Sequence, residues 1–169
     1  SRIKPIIVLK AGSSSAGAAA ASSHTGALAG EDAVYDAAFK RAGVIRVRTI
    51  EDLFDCAELM AKQPRTRGSR MAVITNGGGP GVMAIDAMAR YGLEPAILRK
   101  ETVASLDQIL PPFWSRRNPV DILGSADAER YMRVVEIIRK DPGLDSLMII
   151  MAPQALTPPV DVAQALINM

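Results

Sequence analysis

The chain has 169 residues, which is enough for one domain with a substantial core or for two small units. Its content of 49% hydrophobic and 22% charged residues is typical of a soluble globular protein. A net charge of +2 and an aromatic content of 4% argue against nucleic-acid binding. The sequence shows no signal peptide and no apolar run near 18 residues, so we expect no membrane partner and a cytoplasmic location.

The first third of the chain is predicted to contain two strands and two helices around a loop of small residues. Pro5–Leu9 is a continuous apolar run, which is typical of a strand buried on both faces. Ala11–Gly30 has Ala, Gly or Ser at 17 of its 20 positions, and we predict a mobile loop there. The next predicted elements are a helix over 28–42, a strand over 44–48 and a helix over 49–62 that Thr49 and Asp52 cap. Cys56, the single cysteine, excludes an internal disulfide and is predicted to be a buried structural thiol.

Residues 63–69 have the Pro, Gly and charge content of a linker, and a second alternation of strands and helices begins after them. The predicted strands cover residues 70–75, 95–98, 119–123 and 147–151. The predicted helices cover residues 80–90, 101–110 and 126–140, with a last one opening at Pro158-Pro159. This alternation predicts an α/β fold, a doubly wound parallel sheet with right-handed crossovers and helices on both faces. Sites in such sheets lie at the carboxyl ends of strands.

His24, the only histidine, lies in the small-residue stretch without bulky neighbours to shield it. A histidine kept for packing would normally have large apolar neighbours, whereas an unshielded imidazole is available as a nucleophile or general base near neutral pH. The alternative is that Ser23 or Thr25 caps a following helix and that His24 is incidental.

A glycine-rich turn, Thr75-Asn-Gly-Gly-Gly-Pro-Gly-Val82, joins a predicted buried strand to a helix. Its bare backbone amides, from Gly77, Gly78, Gly79 and Gly81, stand at a helix N-terminus, and such amides bind phosphate. The turn lacks the motifs of a P-loop and of a dinucleotide site. A tight turn that needs glycine only for packing is the alternative.

A third segment, Asn118-Pro-Val-Asp-Ile-Leu-Gly124, places a carboxylate in a short strand with glycine at its exit. Asp121 either contacts a substrate or hydrogen-bonds neighbouring backbone. The residues alone leave both possibilities open.

Together, Ser22–Gly30, Thr75–Val82 and Asn118–Gly124 resemble the nucleoside-diphosphate-forming (ADP-forming) acyl-CoA synthetases, relatives of succinyl-CoA synthetase. The resemblance implies flavodoxin-like domains and a phosphorelay. In that relay an acyl-CoA and phosphate give an acyl phosphate, whose phosphoryl group passes to a histidine and then to ADP. Position by position, the phosphohistidine matches His24, and the helix that cradles its phosphate matches the turn with Gly77, Gly78, Gly79 and Gly81. The candidate supporting residues, which lie in the same three motifs, are Ser23, Thr25, Gly26, Asn76, Asn118 and Asp121.

The resemblance also implies that the chain is part of a longer protein. Residues 1–62 are similar to the later half of a first CoA-ligase domain, 63–69 to a linker, and 70–169 to the earlier part of a second such domain. We expect the chain itself to hold no cofactor or metal and to be inactive alone. The intact protein would use CoA, ATP or ADP, phosphate and Mg²⁺, with CoA-binding and ATP-grasp domains as partners, in an oligomer.

Two questions stay open at the level of sequence. A non-catalytic ligase-like regulatory region of a protein acetyltransferase, or a flavodoxin-like interaction module, would share these motifs. The two parts of the chain either form separate half-domains, which the linker favours, or close into one permuted sheet.

Overall fold

The computed structural model describes residues 4–25, 30–155 and 157–169, without the side chains of His24 and Thr25. The chain forms two compact units, Ser1–Arg65 and Thr66–Met169. Within the described residues each unit has its own sheet, and every paired strand is parallel to its neighbour. The prediction of an α/β fold with parallel sheets is therefore confirmed.

The first unit contains β1 (Ile7–Leu9), α1 (Ser15–Thr25), α2 (Asp32–Ala42), β2 (Ile45–Val47) and α3 (Ile50–Lys62). β1 and β2 pair in parallel with Ile7 opposite Ile45 and Leu9 opposite Val47. Among the described residues of this unit only Val47 is buried. The unit therefore has little apolar core of its own.

Ser15–Thr25 of the small-residue stretch forms a helix, so the prediction of a loop over these residues was wrong. Helix α1 begins where the Ser14 hydroxyl accepts a hydrogen bond from the Gly17 amide at 3.1 Å, a typical N-cap contact. Alanine, which fills Ala18–Ala21, has the highest helix propensity of any residue. The stretch lacks an apolar stripe because its side chains are all small, and the absence of periodicity concealed the helix.

Ion pairs connect helix α2 to β2 and to the residue that follows it. Arg46, whose side chain is only 7% exposed, donates to Asp32 and Asp36, which lie one turn apart on α2. Arg48 reaches the same two carboxylates at 3.4 and 3.2 Å. These contacts hold the pKa of the Asp32 carboxyl below its usual value, Arg46 contributing most. The predicted helix start at Leu28 lies outside the described residues, and the described helix begins at Asp32.

Helix α3 starts with the predicted cap. The Thr49 hydroxyl accepts from the Asp52 amide at 3.0 Å, and the Asp52 carboxylate accepts from the Thr49 amide at 3.1 Å. The helix leaves Phe54 69% exposed, and Cys56 is half-buried rather than buried as predicted. The apolar pattern of α3 therefore covers less of a core than the sequence suggested, because the sheet beneath it has only two described strands.

The second unit begins with β3 (Arg70–Thr75), its central strand. The other strands are β4 (Glu94–Pro95), β5 (Val120–Asp121) and β6 (Ser146–Ile150). The helices are α4 (Gly78–Arg90), α5 (Lys100–Asp107), α6 (Ala128–Ile138) and α7 (Pro159–Ile167). β6 pairs with β3 from Met71 to Thr75, whereas β4 pairs with the start of β3 and β5 with its end. Strands β4 and β5 are shorter than predicted because they share one edge of β3.

Asn118 fills the gap between β4 and β5 along that edge. Its Oδ1 accepts from the Val73 amide at 2.9 Å, and its Nδ2 donates to the carbonyls of Met71 and Ala96 at 2.8 and 3.1 Å. The side chain thus replaces ladder hydrogen bonds that neither short strand supplies.

The core of the second unit is built from β3, β5 and the inner faces of the helices. Side chains that are wholly inaccessible include Ile74, Leu106, Val120, Ile122, Tyr131, Val134 and Ile138. Trp114 closes the core and donates from Nε1 to Asp107 at 2.7 Å. No helix within the described ranges is long and apolar enough to cross a bilayer.

Candidate functional site

The glycine-rich turn lies at the carboxyl end of the central strand and opens helix α4. Gly77 is the N-cap residue, and no side chain caps the helix. The hydroxyl of Thr75, the last residue of β3, accepts from the Gly77 amide and donates to the Gly77 carbonyl, both at 3.0 Å. The Gly77 amide therefore already has an acceptor, and the Thr75 side chain stabilises the conformation of the turn.

The other glycines of the turn divide into two roles. Gly81 is buried, its amide donates to the Gly77 carbonyl at 3.2 Å, and a Cβ there would stand 3.0 Å from Thr75 Cγ2. Gly81 is thus required by packing against β3. In contrast, the amides of Gly78 and Gly79 have no acceptor among the described residues, and a Cβ on Gly79 would meet nothing within 4 Å. Of the four glycines predicted to bind phosphate, Gly77 and Gly81 donate their amides within the turn, and Gly78 and Gly79 do not.

Asp121 flanks the same helix terminus from β5. It pairs with Thr75 in the sheet register, and its Oδ1 accepts from the Leu123 amide at 2.9 Å. Its other carboxylate oxygen, Oδ2, lies 3.3 Å from the position that a Cβ on Gly78 would occupy. Leu123 has a φ of 68°, a left-handed conformation that non-glycine residues seldom adopt. The backbone after β5 is therefore held in an uncommon shape that fixes the carboxylate.

Asn76 fixes the other side of the turn to the end of β6. The side chain is 2% exposed, its Oδ1 accepts from the Ala152 amide at 2.7 Å, and its Nδ2 donates to the Ala152 carbonyl at 2.9 Å. Thr157, wholly buried nearby, donates from its hydroxyl to the Ala126 carbonyl at 2.6 Å. These contacts join the segments that follow β3, β5 and β6 into one rigid edge.

Tyr131 supports this edge from helix α6. Its hydroxyl donates to the Ile150 carbonyl at 3.2 Å at the end of β6. Burial raises the pKa of the Tyr131 phenol to about 12, which moves its ionisation further from neutral pH than that of an exposed tyrosine.

The structure brings part of the predicted set together. Asn76, Gly78, Gly79 and Asp121 meet at the carboxyl edge of the sheet, although Asn76 is occupied by backbone contacts. Asn118 instead bonds to the middle of β3, so it supports the sheet and does not lie at the carboxyl end of the strands. Sequence reasoning missed the contributions of Thr75, Ala152 and Thr157. Of these, only the Thr75 contact is visible in the sequence, because the hydroxyl lies two residues before the glycine that it binds.

The remaining predicted site residues belong to the first unit. Ser23 and His24 lie in the last turn of α1, so the alternative in which Ser23 begins a helix was wrong. The alternative start at Thr25 depends on residues outside the described ranges and stays a prediction. Ser23 is exposed, and its hydroxyl donates to the Ala20 carbonyl at 2.7 Å. The side chains of His24 and Thr25, and all of Gly26, lie outside what the structure describes.

The described residues contain no group of three or more His, Cys, Asp or Glu side chains that would hold a metal ion. The carboxyl edge thus offers two amide donors and one carboxylate. Backbone amides at a helix N-terminus are donors of the kind that bind oxyanions in other proteins.

Comparison with known proteins assigns both units. Residues 1–60 match the succinyl-CoA ligase like flavodoxin domain, and residues 71–169 match the Ligase-CoA domain. The chain is 46% identical over 154 residues to an ADP-forming acetate–CoA ligase I of Archaeoglobus fulgidus, covering 91% of the chain and 22% of that protein. It is 42% identical over 168 residues to the alpha subunit of the ADP-forming acetate–CoA ligase I of Pyrococcus furiosus, covering 99% of the chain and 36% of the subunit.

One solved structure is similar over nearly the whole of this chain. The dinucleotide-forming acetyl-coenzyme A synthetase 1 of Ca. Korarchaeum cryptofilum, in complex with phosphate and ADP, superposes with a TM-score of 0.90 at 38% identity. The match covers 98% of the chain and 36% of that protein. The chain thus spans only about a quarter to a third of the length of these relatives. With a domain match over more than half of its residues, the chain belongs to the ADP-forming acyl-CoA ligase family.

Proposed function

We propose that this chain is the phosphoryl-transfer part of an ADP-forming acyl-CoA synthetase. The intact protein would interconvert acyl-CoA, phosphate and ADP with the free acid, CoA and ATP. The single observation that carries the proposal is the pair of amides at Gly78 and Gly79, without an acceptor among the described residues and at the carboxyl edge of the sheet. Two N–H groups at a helix N-terminus favour a phosphate or phosphoryl group by hydrogen bonding and by the helix dipole.

His24 is the proposed phosphoryl acceptor. An imidazole nitrogen attacks the phosphorus of the acyl phosphate, the bond from phosphorus to the acyl oxygen breaks, and the free carboxylate leaves. In the second half of the cycle the bond from nitrogen to phosphorus breaks, and a terminal oxygen of ADP takes the phosphoryl group to give ATP. Imidazole suits this shuttle because it is nucleophilic near neutral pH.

We infer the substrates and partners of the intact protein from the names of its relatives. Several relatives are named for acetate, one from Nitrosopumilus maritimus for 4-hydroxybutyrate and one as a trans-feruloyl-CoA synthase, so we infer that the substrate is a carboxylic acid. We assign CoA binding, nucleotide binding and Mg²⁺ to the remainder of the intact, oligomeric protein. The chain alone is then expected to be inactive.

The test uses the intact protein. It should form ATP from acetyl-CoA, phosphate and ADP, and His24→Asn should abolish ATP formation without changing the far-UV circular dichroism. Ser15→Ala is the matched control, because Ser15 is an exposed residue at the start of the same helix and its replacement should leave the rate within a factor of about three. A His24→Asn protein with normal turnover would refute the proposal, as would a wild-type protein that only regulates a fused acetyltransferase.

A further inference from the structure

The two ends of the small-residue stretch that carries His24 meet at one lysine side chain of the first unit. The stretch begins with Ala11 and ends with Gly30. Lys10, the residue before it, donates from Nζ to the Ala11 carbonyl at 3.2 Å and forms an ion pair with Asp32 Oδ1 at 3.6 Å. Asp32 is the first residue of α2, two positions beyond the stretch. Lys10 therefore connects the start of the stretch with the helix that follows its end.

An aromatic ring of α2 adds a second contact between the two ends. Lys10 Nζ lies 4.4 Å from the centroid of the Tyr35 ring, which is within the range of a cation–π contact. Gly30 lies beside the same ring, because a Cβ on Gly30 would stand 3.1 Å from Tyr35 Cε2. The last residue of the stretch and the residue before its first thus lie against one side chain.

The Asp32 carboxylate is also fixed to the sheet. Arg46 of β2, whose side chain is 7% exposed, donates from Nη2 to Asp32 Oδ1. Strand β2 pairs with β1, which ends at Leu9, directly before Lys10. The side chains of Lys10 and Asp32 are only 16% and 25% exposed, so water screens their attraction less than on an open surface. Both partners of the ion pair are therefore attached to the same pair of strands.

Resting on the proposed role of His24 as the phosphoryl acceptor, we propose that Lys10 and Asp32 are positioning residues for phosphoryl transfer. A chain segment that is held at both ends explores a smaller volume than one held at a single end, so a histidine on it meets its reaction partner more often. Neither residue takes part in the chemical step. Loss of their contact should slow the transfer to His24 without weakening the binding of the acyl phosphate.

Single-turnover labelling of the intact protein with ³²P-labelled acetyl phosphate measures this role. The rate constant at saturation reports the transfer to His24, the half-saturating concentration reports the binding of acetyl phosphate, and the amplitude reports the folded fraction. Lys10→Met keeps the aliphatic stem and removes the charge, and Asp32→Asn removes the opposite charge. Because a small misplacement of a reacting group slows a reaction strongly, each variant should lower the rate constant about fivefold or more and leave the half-saturating concentration unchanged.

Two matched variants remove the same charges from the same group of ion pairs without breaking this contact. Asp36 pairs with both arginines of the group but, within the described ranges, not with Lys10. Arg48, whose side chain is 57% exposed, pairs with both carboxylates. Asp36→Asn and Arg48→Met should therefore keep the rate constant within about twofold of the wild type. Lys10→Arg restores a cation of similar reach and should label faster than Lys10→Met.

The outcomes separate this proposal from the proposed function. If the wild type is labelled on His24, but Lys10→Met and Asp32→Asn have the same rate constants as their controls, the positioning role is overturned and the phosphohistidine stands. A lower amplitude with an unchanged rate constant would also overturn the positioning role, because that result describes lost folding. A wild type without label on His24 would overturn both proposals.

Discussion

The side chain of Asn76 holds the backbone of Ala152 at both its amide and its carbonyl, at 2.7 and 2.9 Å. The two residues are 76 positions apart in the chain. Their contact joins the end of the central strand to the end of β6. This contact therefore positions the glycine-rich turn that starts at the next residue, Gly77.

Asn76→Ala should therefore destabilise the second unit. The substitution leaves both backbone groups of Ala152 without their partner, and each unsatisfied group costs about 1–3 kcal/mol. We expect a loss of about 2–3 kcal/mol in the free energy of unfolding, measured by urea denaturation. Asn168→Ala, at an exposed position near the C-terminus, should change it by less than about 0.5 kcal/mol. Equal effects of the two substitutions would contradict this account of Asn76.

Gly79→Val and Gly81→Val should separate ligand binding from packing within one helical turn. A Cβ at position 81 meets Thr75 Cγ2 at 3.0 Å and Pro119 Cγ at 3.3 Å, so Gly81→Val should cost about 1–3 kcal/mol or more of stability. A Cβ at position 79 meets nothing within 4 Å, so Gly79→Val should stay within about 1 kcal/mol of wild type.

Phosphate titrations of the folded proteins measure the second property, the affinity for the anion. Gly79→Val should weaken phosphate binding severalfold while the fold persists, because the added methyl groups crowd the open amide. Unaltered phosphate affinity in Gly79→Val would show that the anion does not approach this residue.

The ion pair of Arg70 and Asp145 should make the second unit sensitive to acid. Arg70 Nε and Nη2 each donate to the Asp145 carboxylate at 2.9 Å, and the Arg70 amide donates to it at 3.0 Å. These bonds, the side-chain ones first, lower the pKa of Asp145 to about 2, below the value of about 3.9 for an unfolded chain. The stabilisation is complete above about pH 4 and is lost as the pH falls towards 2.

Thermal unfolding of wild type and Asp145→Asn between pH 2 and pH 6 measures this contribution. The wild type should have the higher melting temperature at pH 6, and the difference should shrink as the pH falls from about 4 to 2. A difference that stays constant over that range would mean that Asp145 contributes packing rather than charge. Asp86→Asn, with an exposed carboxylate, serves as the control for net charge.

The sequence predicted the class of the fold and singled out the turn that we propose as the phosphate site. Apolar runs marked β3 and β6, and the Gly-Gly-Gly-Pro-Gly turn marked the start of α4, because these signals are local. Helix α1 escaped prediction because a helix of Ala, Gly and Ser carries no apolar stripe. The roles of Asn76 and Asn118 were hidden because their partners lie 76 and up to 47 residues away along the chain. Asp121 hydrogen-bonds neighbouring backbone at the Leu123 amide, as one of its two alternatives predicted, and its contact with a substrate stays a prediction.

The central claim, that His24 carries the phosphoryl group, is tested most directly by isolating the phosphorylated residue. The intact protein is incubated with ³²P-labelled acetyl phosphate and digested, and the labelled peptide is sequenced by mass spectrometry under alkaline conditions. The account predicts label on the peptide containing His24, stable in base, lost in acid and released to ADP as labelled ATP. Label that persists in His24→Ala, or that survives acid as a phosphoserine would, would contradict it.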